Sequence, residues 1–195
     1  MNFGEEIAYW YLRFNGFFPL TNFVLHRREH ANPSDCDLLA VRPPFVTEET
    51  GGNPWDWDPD LQPYWANGCT VGVIGEVKSG QVVGDIFRPD YVRTALKRLG
   101  FVSEEREFEE ALQAVQRQPS VEIGQSHRVV KVLFANHSPG QSRGFHCILL
   151  RHARDFIRAR LAAYSEKQSD WVYFNSHLIQ YLAWDTKWGK DEPGG

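Results

Sequence analysis

The stretch Thr70-Val71-Gly72-Val73-Ile74-Gly75-Glu76-Val77-Lys78 decides how the rest of the chain is read. From Val71 to Gly75 it carries no polar side chain, and its β-branched residues favour extended backbone. A short, near-continuous apolar run of this kind belongs in the middle of a sheet, covered on both faces. Glu76 and Lys78 then stand two residues apart, so both side chains leave the strand on the same face. A charged pair at the end of a buried strand is costly without partners. It becomes reasonable if Glu76 meets a cation and Lys78 meets an anion or water.

Working toward the N-terminus, residues 36–42 read as a short strand, with Asp37 inside it or at its start and Pro43-Pro44 ending it. If that strand neighbours 70–78, the Asp37 and Glu76 carboxylates converge on one hard divalent ion. Mg²⁺ takes few oxygens from protein and keeps waters and phosphate oxygens, which suits hydrolysis of a phosphodiester. Before it, residues 3–14 have apolar residues at helical spacing (Ile7, Ala8, Tyr11, Leu12, Phe14), with Asn2 as cap, Glu5 and Glu6 in the first turn, and Gly16 as the stop. Residues 17–26 read as extended chain.

Working toward the C-terminus, helices are predicted over 88–99, with Pro89 near the first helical position, and over 104–116. Strands are predicted over 127–134 and 144–150, and helices over 151–164 and 173–184. The order predicts an α/β fold: a mixed sheet flanked by helices on both sides. We read residues 1–188 as one domain, with a core over about 3–135, a strand and helix elaboration over 144–186, and a flexible polar tail at 189–195. Residues 43–68 form a long irregular insert, rich in Pro and acidic residues and without Lys or Arg. Its Trp55, Trp57, Tyr64 and Trp65 predict that part of it packs on the domain.

Asp37, Glu76-Val77-Lys78 and the glutamate-bearing first helix together resemble the catalytic core of the PD-(D/E)XK nuclease superfamily, the restriction-endonuclease-like fold. The pattern Gly4-Glu5-Glu6-Ile7-Ala8, Gly16-Phe17, Cys36-Asp37-Leu38-Leu39-Ala40 and Gly75-Glu76-Val77-Lys78 is similar to the Holliday-junction-resolvase-like and Mrr-like branches. The resemblance covers about residues 3–80. It implies a four-stranded mixed sheet and Mg²⁺-dependent cleavage of DNA, with Mn²⁺ as a substitute, often by a homodimer. By the same resemblance Asp37 and Glu76 bind the metal, the Val77 backbone carbonyl adds an oxygen, Lys78 positions the attacking water, and Glu5 is the helix glutamate. Candidate contacts to the DNA backbone are His26, Arg27, Gln81 and Arg88.

Composition is compatible with this reading. Apolar residues at 42% and charged residues at 24% exclude a disordered chain or a fibre. The net charge of -4 argues against non-specific coating of nucleic acid. Locally, residues 88–167 carry 14 Lys and Arg against 9 Asp and Glu, which leaves room for a basic face including Arg88, Arg93, Lys97, Arg98, Lys131 and Arg151. Three widely spaced cysteines fit neither a disulfide framework nor a zinc knuckle. With no signal-like start and no apolar run long enough for a bilayer, the expectation is a cytoplasmic protein without a membrane partner. His127, His137, His146 and His152 lack close metal-ligand spacing and read as structural or surface residues. Two rivals remain at this stage: a catalytically inactive nuclease-fold subunit, and an assembly factor using the acidic, Trp-rich insert.

Overall fold

Helix α1 (Phe3–Phe14) begins in a capping box: the Glu5 amide donates to Asn2 Oδ1 (3.0 Å) and the Asn2 amide donates to Glu5 Oε2 (2.9 Å). It ends at Asn15, followed by Gly16 with φ of 79°, a left-handed turn suited to glycine. These features belong to a computed structural model, which describes residues 2–25, 34–47, 56–65, 67–82, 84–140, 144–164 and 175–188.

Strands β1 (Phe18–Leu25), β2 (Ser34–Arg42) and β3 (Thr70–Lys78) form an antiparallel meander. Strand β5 (His127–Ala135) then pairs parallel to β3, which requires a crossover. Helices α2 (Pro89–Leu99) and α3 (Glu105–Arg117) supply it, together with the short strand β4 (Ser120–Ile123). Strand β4 pairs antiparallel with the first half of β5, and β6 (His146–Leu149) pairs parallel with the second half, on the same edge. Among the described residues the sheet has six strands, where the resemblance implies four, in the order β1-β2-β3-β5-β4 with β6 beside β5. Helices α4 (Leu150–Ala163) and α5 (His177–Trp188) complete the described chain. Among the described residues no helix is long and apolar enough to cross a membrane.

β3 holds the central position that its composition predicts, with Val71 through Val77 buried. Val71, Val73 and Val77 pack with α1, α4 and α5, whereas Ile74 packs with α2 and α3. Burial of each such side chain contributes at most about 1.5–3 kcal/mol. The two apolar clusters enclose the sheet and fix the level of its strand ends.

The insert is not irregular throughout. A short 3₁₀ turn covers Gln62–Tyr64, and Trp57, Leu61 and Trp65 are core residues. Arg42, at the end of β2, is fully buried between them. Its guanidinium lies 4.9 Å from the Trp57 ring centre and 4.2 Å from that of Trp65, and its Nε donates to the Asn15 carbonyl (3.0 Å). Burial lowers its pKa to about 10. These two tryptophans are therefore committed to the core rather than offered to a partner. Asp56 adds a buried ion pair with Arg160 of α4 (2.6 Å) and accepts a hydrogen bond from the Tyr164 hydroxyl.

Lys131 departs from the expectation of a basic face: it is 3% exposed and its ammonium donates to the Gln116 carbonyl (3.1 Å) at the end of α3. Burial pulls its pKa down to about 8, opposed in part by Asp85. Arg93 is paired with Glu109, while Arg88, Lys97, Arg98 and Arg151 are exposed.

Two stability predictions arise here. Asp56→Ala removes the carboxylate facing a buried guanidinium and should cost about 3–5 kcal/mol in denaturant unfolding. For Lys131, the unfolded chain holds the proton up to about pH 10.5 whereas the folded chain releases it near 8. The wild type should therefore gain stability relative to Lys131→Met as pH rises from 8 to 10. Unfolding midpoints of both proteins across that window check the sign.

Candidate functional site

Pairing between β2 and β3 runs from Arg42↔Val71 to Leu38↔Gly75 and stops there. Beyond it, β2 stays with β1 as far as Leu25↔Ser34, while β3 continues beside β5 to Lys78↔Ala135. The two strands thus part where Asp37 and Glu76 stand. At the last pair before the fork the backbones approach closely. A Cβ on Gly75 would lie 3.0 Å from the Leu38 Cβ and 3.3 Å from the Leu38 carbonyl oxygen, which explains the glycine. Within the fork, Asp37 Oδ2 accepts a hydrogen bond from the Val77 amide (2.8 Å), so a side chain takes the place of a ladder carbonyl.

Glu76 and Lys78 emerge together, as their spacing predicts. The Lys78 ammonium donates to Glu76 Oε2 at 2.8 Å and lies 3.8 Å from Asp37 Oδ2. Glu76 is 7% exposed, whereas the Lys78 side chain is 40% exposed, so the group opens to solvent on the lysine side. Burial raises the Asp37 pKa, Glu5 adds to the rise, and the Val77 amide and Lys78 oppose it. Burial also raises the Glu76 pKa, with Asp37 as the next cause and Lys78 in opposition. For Lys78 burial favours loss of the proton, but Glu76, Asp37 and Glu5 outweigh it and the net shift is upward. Two crowded carboxylates held by one protonated amine make a site of high negative potential with hard oxygen donors.

Helix α1 brings Glu5 to this end of the sheet. Its N-terminus lies against the end of β3, since a Cβ on Gly4 would fall 2.9 Å from Ser79 Oγ and 3.1 Å from Val77 Cγ1. The Glu5 carboxylate caps its own helix, yet its charge acts on both Asp37 and Lys78. Gln81 and Arg88 are exposed beyond the end of β3. His26 and Arg27 lie outside the described residues. Tyr91 of α2 is a neighbour that the sequence reading missed: its hydroxyl donates to Cys36 Sγ (3.1 Å), lies 3.4 Å from the Gly75 carbonyl oxygen, and stands near enough to Glu76 to oppose the rise in its pKa. Nothing local to residue 91 signals this, because α2 must first cross over the sheet.

A second group of ligand atoms comes from the insert. Asp58, Asp60 and His152 bring one donor atom each to within 4.8 Å of one another, close enough to coordinate a metal ion. His152 is thus more than a surface histidine. Its partners lie in the insert, about ninety residues earlier in the chain, so no sequence spacing reveals them.

Comparison with known proteins finds no matching family model, no matching curated protein and no matching solved structure. Architecture and site geometry therefore carry the functional argument.

Lys78 holds down the proton affinity of both carboxyls. Lys78→Met should raise the apparent pKa values of the Asp37–Glu76 pair, read as a pair by carboxyl ¹³C NMR titration. Unchanged titration curves would mean that the ammonium does not act on them.

Proposed function

We propose that this chain is a metal-dependent deoxyribonuclease of the restriction-endonuclease-like class, hydrolysing DNA phosphodiester bonds at the fork between β2 and β3. The observation that carries the reading is the meeting at that fork of Asp37 from β2 with Glu76 and Lys78 from β3. The element order lends support: a helix, three antiparallel strands, a helical crossover and a strand parallel to the third.

The donor set fits a hard divalent cation. Asp37 and Glu76 supply carboxylate oxygens that repel one another, and Val77 sits between Glu76 and Lys78 with its carbonyl as a further hard donor. Mg²⁺ suits these oxygens, with Mn²⁺ as a substitute. When bound, such a cation neutralises charge at the scissile phosphate and lowers the pKa of water. The chain's own residues do the rest. Asp37 is oriented by the Val77 amide, and Glu76 is fixed by burial and by Tyr91. With Glu76 engaged by a cation, the Lys78 ammonium would be available to face the attacking water and the charge growing on the phosphoryl oxygens. Glu5 adds negative potential from α1. Gln81 and Arg88, exposed nearby, are suited to contact the DNA backbone. The exposed Phe18 and Leu20 on β1 offer an apolar edge for a homodimer that cuts both strands.

Cleavage of plasmid, linear duplex, single-stranded and branched DNA, and of RNA, tests the reading in Mg²⁺, Mn²⁺ and EDTA. Cutting should require metal and fall by about 10²–10⁴-fold in Glu76→Gln and Lys78→Ala proteins shown to be folded by circular dichroism. Variants that cut as fast as the wild type would overturn the assignment. A wild type that binds DNA but cuts none of these substrates would favour the inactive, nucleic-acid-binding rival.

A further inference from the structure

A second polar centre lies on the other side of the sheet from Tyr91 and Glu76, among residues of the α1 and α4 layer. Asp58 is 0% exposed, although it is an acidic residue of a proline-rich insert. Its backbone is held by α1, since the Asp58 amide donates to Asn15 Oδ1 (2.8 Å) and Asn15 Nδ2 donates to the Tyr11 carbonyl (2.9 Å). His152 Nε2 lies 2.7 Å from Asp58 Oδ2 and 3.6 Å from Asp60 Oδ2. A plain histidine–aspartate pair would account for the shorter of these contacts.

Two further polar atoms come under the influence of the same carboxylates and are not explained by that pair. Tyr11 is fully buried and its ring stands edge-on to that of His152. Its hydroxyl makes no hydrogen bond of normal geometry, yet Asp58 and Asp60 are the charges that act on it. His146 Nε2, at the start of β6, is a buried nitrogen without a hydrogen-bond partner, and Asp60, Asp58 and His152 all act on its ring. Buried polar atoms are nearly always satisfied in folded proteins. Here two that are not adjoin two carboxylates and a second imidazole.

We propose that Asp58, Asp60 and His152 form a binding site for a first-row transition-metal ion of the Zn²⁺ type, distinct from the hard-cation site at Asp37 and Glu76. Mixed imidazole and carboxylate donors select such an ion, whereas Mg²⁺ and Ca²⁺ prefer oxygens alone. Three protein donors with one open position suit tetrahedral coordination. The ion would tie the insert (Asp58, Asp60) to α4 (His152), a structural role that does not depend on the nuclease reading.

The test uses the full chain, stripped of metal and titrated with Zn²⁺ by calorimetry at pH 7.5, with Co²⁺ visible absorption reporting the geometry. Wild type should bind one equivalent of Zn²⁺, and millimolar Mg²⁺ should not displace it. Asp60→Asn alters the more exposed carboxylate and should fold normally while weakening Zn²⁺ at least tenfold. His152→Ala should weaken it further, and Glu76→Gln should leave it unchanged. Absence of saturable Zn²⁺ binding by wild type would overturn the proposal. So would wild-type affinity in Asp60→Asn, or a loss in Glu76→Gln equal to that in His152→Ala. Nuclease activity enters none of these readouts, so the two readings fail separately.

Discussion

The close approach of β2 and β3 at Leu38↔Gly75 is the constraint on which the rest of this structure depends. β3 is paired on both sides up to Gly75, stays on β5 to Lys78 and is buried on both faces, so its end cannot drift. Because Gly75 lets the two backbones come close and the strands then separate, Asp37 and Glu76 stand beside one another with a gap between the chains. The Asp37 carboxylate can reach a backbone amide there that a continuous ladder would have occupied. A bulkier residue at 75 would push β2 away and separate the two carboxylates.

That arrangement is not one that stability alone would select. Two carboxyls whose pKa values are raised by burial, one of them also by its neighbour's charge, destabilise the fold at neutral pH, and one half-exposed lysine compensates only in part. Local conflict of this kind is expected where a site is kept for chemistry, with the rest of the molecule absorbing the cost. The apolar clusters on the two faces of the sheet are the offsetting term.

The insert shows a different solution to a similar problem. The segment is rich in proline and acidic residues, and in its described residues the regular element is the 3₁₀ turn Gln62–Tyr64. It is held by polar anchors: Arg42 stacked on Trp57 and Trp65, Asp56 against Arg160, and Asp58 against Asn15 and His152. Each joins the insert to an element formed elsewhere in the chain. Trp57 and Trp65 therefore serve the core, and the carboxylates of Asp56 and Asp58 face inward, while Trp55 lies outside the described residues.

Much of this was legible in the residues themselves. The run of β-branched residues before Glu76 marked a central strand, Asn2 with Glu5 and Gly16 marked the limits of α1, and the two-residue spacing placed Glu76 and Lys78 on one face. Period and capping are local properties, and local sequence determines them. β4 was missed because four residues, Ser120–Ile123, carry too short a pattern to be told from a turn. The burial of Lys131, the contact of Tyr91 with Glu76, and the convergence of Asp58, Asp60 and His152 were decided by tertiary structure alone. Each depends on which elements the crossovers and the docked insert bring together, and that follows from packing the described helices and strands around one sheet.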